Sequence, residues 1–377
     1  MIARMRPLVW PLLIATLAAA MYLSRIAREM PDFDVNRTAA VRLLDAEPLY
    51  RPADAPDRFL SLPVFAIAMA PLAILDAETA PVVWFAVSVG LLMALVRWSV
   101  SGLPARQQSR LALSWITVIF MGKFYAHELT LGQASILAGA LLVAGLLAIR
   151  IDRPVAAAVL VSLAALLKPY ALILVPWLVA GFGWRAAAVS AGVLFAGLVV
   201  PAAIYGWSGN LDLLAAWYAT VTATTAPNLT SADNVSFAAM WAKWVGPGRA
   251  AAALAATTAV ASLGVVVHLW RRRGLTEEPE YLEWSALMLL IPLLSPLGWD
   301  YVLLLATPAV VCLVDRWYLA AREWRAFIGA SLALMGLTLL ELMGRDLYAR
   351  FMAASLVTVA ALGVLACLVH LRYRQLA

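Results

Sequence analysis

Charge is scarce in this sequence: Asp, Glu, Lys and Arg make up 13% of its 377 residues, against 64% apolar ones. A soluble domain of that length needs more charge to cover its surface, so a water-soluble globular fold is excluded. Cysteine is nearly missing. Cys312 and Cys367 both lie inside apolar runs, which excludes a disulfide framework. His127, His268 and His370 are scattered and make no metal-ligand pattern, so no metal site is expected, although a divalent requirement stays open. No glycine-rich phosphate-binding stretch occurs, which removes the usual nucleotide signature, and no cofactor is expected. No segment repeats another, and nothing is of low complexity beyond an enrichment in Ala and Leu.

What fills the chain instead is a series of apolar runs, with a mean hydropathy of +0.87. Runs this long read as membrane-crossing helices, whose backbone polar groups must be satisfied internally. The expectation is an all-α polytopic membrane protein, one integral membrane domain over residues 1–377 with about 12 spans. The first is 8–27, about 30 Å long at 1.5 Å per residue. The others are 80–98, 111–126, 131–149, 154–168, 169–183, 186–206, 250–270, 284–297, 300–315, 325–341 and 351–371. Trp98, Trp184, Trp207, Trp270, Trp299, Trp317 and Trp324 fall at span ends, as aromatic belts do.

Basic residues orient these spans. Lys and Arg exceed Asp and Glu, 28 to 22, giving a pI near 9.5. In a membrane protein that excess reads as the positive-inside bias, not as nucleic-acid binding. Arginine far outnumbers lysine, as in a GC-rich bacterial gene, and a bacterial inner membrane is the expected location. If residues 59–75 only dip into the membrane, 16 of the 28 basic residues lie on the cytoplasmic side, Arg271, Arg272 and Arg273 most clearly. If that segment spans, the cytoplasmic side keeps 8, which violates the rule. Both termini are therefore expected in the cytoplasm. Residues 28–80 form a first outer loop with a pair of juxtamembrane helices, and residues 207–249 form a second.

The first outer loop is where acids, bases and prolines crowd together. Val35, Ala39 and Leu43 recur at helical spacing, with Ala40 and Leu44 beside them and Asn36, Arg37, Arg42 and Asp45 opposite. This is a short interfacial helix, which Pro48 should end. On the same outer side the topology gathers Asp32, Asp34, Arg58, Lys123, His127, Glu128, Gln133, Lys168, Asn234, Trp299, Asp300 and Tyr301. Carboxylates and cations in an apolar surround suit a lipid-borne anionic substrate. Asp32 is the expected catalytic base. Lys168, Gln133, Arg58, Trp299, Asp300 and Tyr301 are expected around the donor and its phosphate. Asp34, His127 and Asn234 are candidates for acceptor contact or support. Each has a simpler reading: Asp32 and Asp34 as helix caps, Lys168 as a snorkelling anchor before Pro169, Trp299 as a belt residue and Asp300 as a cap.

Several stretches together resemble glycosyltransferase family 87, the polyprenol-phosphate-mannose-dependent mannosyltransferase-like branch of the C-type glycosyltransferases. They are Asp32-Phe33-Asp34-Val35, Leu43-Leu44, Pro48-Leu49-Tyr50, Phe59 to Pro63, Ala70-Pro71-Leu72, Gly132-Gln133, Leu167-Lys168-Pro169, and Ser295-Pro296 with Trp299. They occur in the family's order between residue 30 and about residue 315, with departures at Asn36, Ser61-Leu62-Pro63, Ser135 and Asp300-Tyr301. The resemblance implies the C-type architecture and a catalytic aspartate at Asp32. It also implies transfer of a sugar, mannose or another hexose or pentose, from a polyprenyl phosphate to an outer-face lipid or glycan acceptor with inversion. The expected partners are that donor, the acceptor and membrane lipids, with no nucleic acid. The rival reading is a transporter or flippase of a lipid-linked sugar. Such a protein should show inverted repeats and broken helices meeting at the membrane midplane.

The charge asymmetry makes a direct prediction. Single cysteines placed at Arg51 to Asp57 should react with an impermeant thiol reagent in intact cells, and those at Arg271 to Glu278 only after permeabilisation. Labelling of both from one side would overturn the 12-span topology.

Overall fold

The computed structural model describes residues 30–275 and 278–374, and the expected first span at 8–27 lies outside them. Helices account for the regular structure among the described residues, apart from one isolated β-bridge between Asn234 and Trp299.

Helix α1 (Pro31–Leu44) opens with Pro31 in its first turn, followed by Asp32 and Asp34. Proline suits a helix start, and acids there face the positive end of the helix dipole. Its buried face is Phe33, Asn36, Ala39, Ala40 and Leu43. That face is rotated from the expected one: Asn36 is buried and Leu44 is half exposed. The rotation follows from Phe33, which packs into the bundle and turns its own stripe inward. The helix also stops four residues before Pro48. Glu47 N–H bonds to Arg42 O and Ala46 N–H to Leu43 O, with Ala46 at φ 52°, so a Schellman turn ends it.

Helix α2 (Pro63–Ala73) packs against α1 and, at 11 residues, is too short to cross about 30 Å of hydrocarbon. The connection is held by the Arg42–Asp54 ion pair, by Tyr50 O–H donating to Ser61 O at 2.7 Å, and by Arg37 Nη2 donating to Leu75 O at 2.7 Å.

Three described helices are long and apolar enough to cross a membrane: α3 (Thr79–Gly102), Arg249–Arg271 and the last helix over Leu356–Tyr373. A fourth is possible if Trp184–Val199 and Ala202–Asn228, bent by 90°, count as one broken span. Helix α4 (Arg110–Leu131) is 22 residues long, but its C-terminal part carries Lys123, His127 and Glu128. Then come α5 (Ser135–Arg150), α6 (Pro154–Leu167), a 3-10 stretch (Pro169–Ile173), α7 (Leu174–Phe182), α8 (Trp184–Val199) and α9 (Ala202–Asn228). Helix α9 runs through much of the expected second outer loop, 207–249, and α10 (Phe237–Val245) follows it.

After α11 (Arg249–Arg271), helix α12 (Glu280–Leu294) runs through the core, with Tyr281 to Leu293 buried on every side. A helix apolar all round belongs in the centre of a bundle. Helices α5, α10 and α11, the 3-10 stretches Pro169–Ile173 and Asp300–Ala306, α13 (Thr307–Asp315) and α17, numbered after α14 (Arg322–Gly336), α15 (Leu340–Met343) and α16 (Arg345–Ala353), pack around it; α17 is Leu356–Arg374. Trp284 fills the middle and meets Trp177 edge-on at 5.2 Å.

The end of the bundle away from Asp32 is closed by charge. Glu283 accepts from Trp177 Nε1 at 2.8 Å and from Arg372 Nη2 at 3.0 Å, with both charged side chains buried. Arg372 also donates to Pro279 O at 3.0 Å. Arg273 Nε stands 4.0 Å from Glu283 Oε2, so removing Arg372 leaves the buried carboxylate with only this more distant cation, and breaking such a pair costs up to about 3–5 kcal/mol. Arg372→Met should therefore lower the thermal midpoint of the purified protein more than Glu283→Gln combined with Arg372→Met, read by unfolding in detergent. A larger drop for the double variant would contradict this account of the clamp.

Candidate active site

A glycine-glutamine turn between α4 and α5 organises the opposite end. Gly132 closes α4 in the left-handed region, φ 71°. A side chain is strained there. A Cβ on Gly132 would also stand 2.6 Å from Phe33 Cβ and 2.7 Å from Met30 Cε. The start of α1 therefore lies directly on this turn. Two further contacts hold the turn. Trp84 Nε1 donates to Gly132 O at 2.8 Å while its ring stacks on Phe33, and Glu128 Oε1 accepts from Ile136 N at 2.9 Å at the start of α5.

This docking delivers Asp32. Gln133 Nε2 donates to Asp32 Oδ2 at 2.7 Å, and Gln133 Oε1 faces Lys168 Nζ at 3.4 Å. Lys168 comes from the C-terminal end of α6, where the following Pro169 starts a 3-10 turn. Asp32, Gln133 and Lys168 form a chain from a carboxylate, through an amide, to an ammonium. Met30, not an aspartate, occupies the N-cap of α1, and no side chain caps that helix. Burial raises the Asp32 pKa above its ordinary value; the Gln133 hydrogen bond and the Lys168 and His127 charges oppose the rise, and Asp57 adds to it. A carboxylate set this way is a better proton acceptor than an exposed one.

A second group adjoins the first through Tyr301. Lys168 Nζ lies 5.7 Å from the centre of the Tyr301 ring, and His127 meets the same ring edge-on at 5.4 Å. His127 Nδ1 is 2.9 Å from Asp300 Oδ1, and Asp300 is buried. Trp299, not Asp300, caps the 3-10 stretch, without a side-chain bond. The backbone here is locked to the loop before α10: Val235 N donates to Gly298 O at 2.7 Å, and Asp300 N to Asp233 O at 2.9 Å. Asn234 supports that loop, giving its Nδ2 protons to Pro296 O at 2.8 Å and Asn228 O at 3.2 Å. Trp299 contributes through its backbone bridge to Asn234.

Two candidates are not among these contacts. Arg58 lies by Asp54, whose carboxyl is held below the usual range first by the Arg42 hydrogen bond and further by the charges of Arg51 and Arg58. Asp34 lines a cavity of about 410 Å³ with Thr38, Arg42, Asp54, Asp57 and Phe59.

Glu128 and Lys123, gathered on this side by the topology, are also here, and the structure adds Asp233 and Lys243. Glu128 is fully buried at the turn. Asp233 stands among the site's charges, its pKa raised by burial and then by Asp300. Lys243, lowered to about 8 by burial, donates to Ala232 O at 3.1 Å and Asn234 O at 2.9 Å. Lys123 donates to Thr338 Oγ1 at 3.2 Å and has Asp300 and Asp233 as its charge partners. Lys123, Lys168 and Lys243 are the three lysines among 28 basic residues, and all three stand at this end. That concentration was visible in the sequence as a departure from the arginine background. Asp233 gave no such signal. No group of three or more metal-binding side chains occurs among the described residues.

The model of glycosyltransferase family 87 matches residues 59–296. The chain belongs to glycosyltransferase family 87. The matched range contains the Gly132-Gln133 turn, Lys168 and Ser295-Pro296, while Asp32 precedes it and Trp299 to Tyr301 follow it. No curated protein and no solved structure matches the chain. The family makes the chain a glycosyltransferase, with a sugar donor and an acceptor as its substrates.

The turn gives this glycosyltransferase a sharp test. Gly132→Ala adds one methyl group against Phe33 and Met30 and strains the left-handed backbone. It should cost about 1–3 kcal/mol of stability, as overpacking does, and lower sugar transfer more than the comparable Gly90→Ala, where a Cβ meets nothing within 4 Å. Equal transfer rates in the two variants would show that the α1 docking does not control the site.

Proposed function

We propose that this glycosyltransferase uses a polyprenyl-phosphate sugar as donor and that Asp32 is its base. The observation that carries the reading is the chain from Asp32 through Gln133 to Lys168, set on a family 87 framework. In this mechanism the acceptor hydroxyl attacks the anomeric carbon from the side opposite the phosphate. Its proton passes to an Asp32 carboxylate oxygen. The bond between the anomeric carbon and the phosphate oxygen breaks, and its electron pair leaves with the polyprenyl phosphate. The result is inversion. Gln133 holds Asp32 in place, and the Lys168 ammonium offsets charge building on the departing phosphate.

The same reading takes the bundle as a C-type glycosyltransferase of about 12 spans, in a bacterial inner membrane, with the site on the outer face. A lipid-borne donor suits a site at a bundle end, where its prenyl chain remains in hydrocarbon. The sugar is mannose or another hexose or pentose, and the acceptor a lipid or glycan of the cell envelope.

Asp32→Asn keeps the shape and removes the base. Transfer of labelled sugar from a polyprenyl-phosphate donor by the purified protein should fall about 10²- to 10⁴-fold. The loss of one charge at the start of a helix should cost only about 0.3–1 kcal/mol. In the wild type, kcat/KM should fall on the acid side around a value above 3.8, the ordinary aspartate pKa, because the raised pKa keeps Asp32 protonated to higher pH. Near-normal transfer by a stable Asp32→Asn protein would remove Asp32 from the mechanism, and a parallel Asp34→Asn variant would show whether its neighbour acts instead.

A further inference from the structure

His127 is the group of this cluster that the Asp32–Gln133–Lys168 chain leaves without a task. Its Nδ1 is 2.9 Å from Asp300 Oδ1. Asp300 is a rigid partner. Its side chain is 5% exposed, and its backbone N–H is bonded to Asp233 O at 2.9 Å. The His127 side chain keeps 35% of its surface open, so a ring pinned at one nitrogen still has an accessible side. In its protonated form the imidazole is a cation with a donor on each nitrogen, so Nδ1 pairs with the Asp300 carboxylate as an ion pair and Nε2–H is left for another acceptor.

The other cations narrow what that acceptor is. Lys243 Nζ donates to the carbonyls of Ala232, Asn234 and Met352, and Lys123 Nζ to the carbonyl and hydroxyl of Thr338. Both are engaged in holding loops. Lys168 makes one long hydrogen bond, to Gln133 at 3.4 Å, has Glu128 and Asp32 as charge partners, and shares the Tyr301 ring with His127. Lys168 and His127 therefore flank one aromatic ring with donor capacity in hand. An anion seated by Tyr301 would meet both.

We propose that Asp300 is a positioning residue that holds His127 by Nδ1 so that its Nε2–H contacts the departing phosphate beside Lys168. The inference rests on the lipid-phosphate donor proposed above. His127 gives a hydrogen bond and keeps its proton. The phosphate oxygen takes the electron pair of the broken bond to the anomeric carbon, and the acceptor proton goes to Asp32.

The test uses the full-length protein in detergent with a synthetic polyprenyl-phosphate sugar. His127→Ala should lower kcat about 10²- to 10³-fold, the usual effect of deleting a donor to developing charge. His127→Gln, which retains an N–H donor, should recover part of that loss. Asp300→Asn should lower kcat at least about tenfold, and Asp300→Asn with His127→Ala should be no slower than His127→Ala alone, because the two act as a unit. Multiplying losses in the double variant, or wild-type kcat in His127→Ala, overturns the proposal and leaves the donor reading standing. A second measurement separates the two. A short-chain polyprenyl phosphate without sugar should bind wild type at least about tenfold more tightly than His127→Ala. That result supports the phosphate contact even if wild type transfers no sugar from such donors, an outcome that would defeat the donor reading alone. Equal binding of the probe overturns the contact.

Discussion

The site depends on the docking of one short helix onto one turn. Asp32 lies on α1, which is tied to the bundle by loops and by a small buried face. Its carboxylate reaches Gln133 because Gly132 has no side chain, so Met30 and Phe33 settle onto the backbone of the turn. The same turn is pinned from the bundle side by Trp84 and Glu128. A hydrogen bond of this kind is worth about 0.5–1.5 kcal/mol in net stability. The energy that places it comes mostly from burying Phe33 and Leu43, about 1.5–3 kcal/mol each. Packing therefore sets the geometry, and the polar chain determines what that geometry can do.

The two ends of the bundle treat charge differently. At the far end, Glu283, Arg372 and Trp177 satisfy one another, and the result is a clamp joining α7, α12 and α17. At the site end, Asp32, Glu128, Asp233 and Asp300 stand among Lys123, Lys168, Lys243 and His127, with several donors only partly engaged. Charges brought together in a poorly solvated place interact more strongly than in water, and unfinished pairing there is costly. Concentrating that cost at one end fits a binding site, and the clamp at the other end fits a framework that must not move with it.

The site is also assembled from segments far apart in the chain. Residues near 32, 127 to 133, 168, 233 to 243 and 300 meet, and the loop before α10 is stitched to Gly298 and Asp300 by main-chain bonds. Backbone bonds of that kind fix Asp300 independently of its side chain. This is why the carboxylate can serve as a fixed reference for His127, and why Asn234 acts through the loop it supports.

Much of this was legible in the residues alone. Scarce charge and long apolar runs pointed to a helical membrane protein, and the described residues are helical, with three or four helices long and apolar enough to cross a membrane. The motif order pointed to family 87, and the family match covers 59–296. The counting of basic residues put Asp32, Gln133, Lys168, His127, Asp300 and Tyr301 on one side, and these residues do come together. The rotation of α1, its early stop at Ala46, the bend between α8 and α9 and the pairing of His127 with Asp300 were not legible. Nor was the separation of Arg58 and Asp34 from the Asp32 contacts. Periodicity and charge are local properties, and a single chain displays them directly. Which face of α1 is buried, and which carboxylate meets which cation, follow from contacts between segments far apart in the chain, so only the packed bundle decides them.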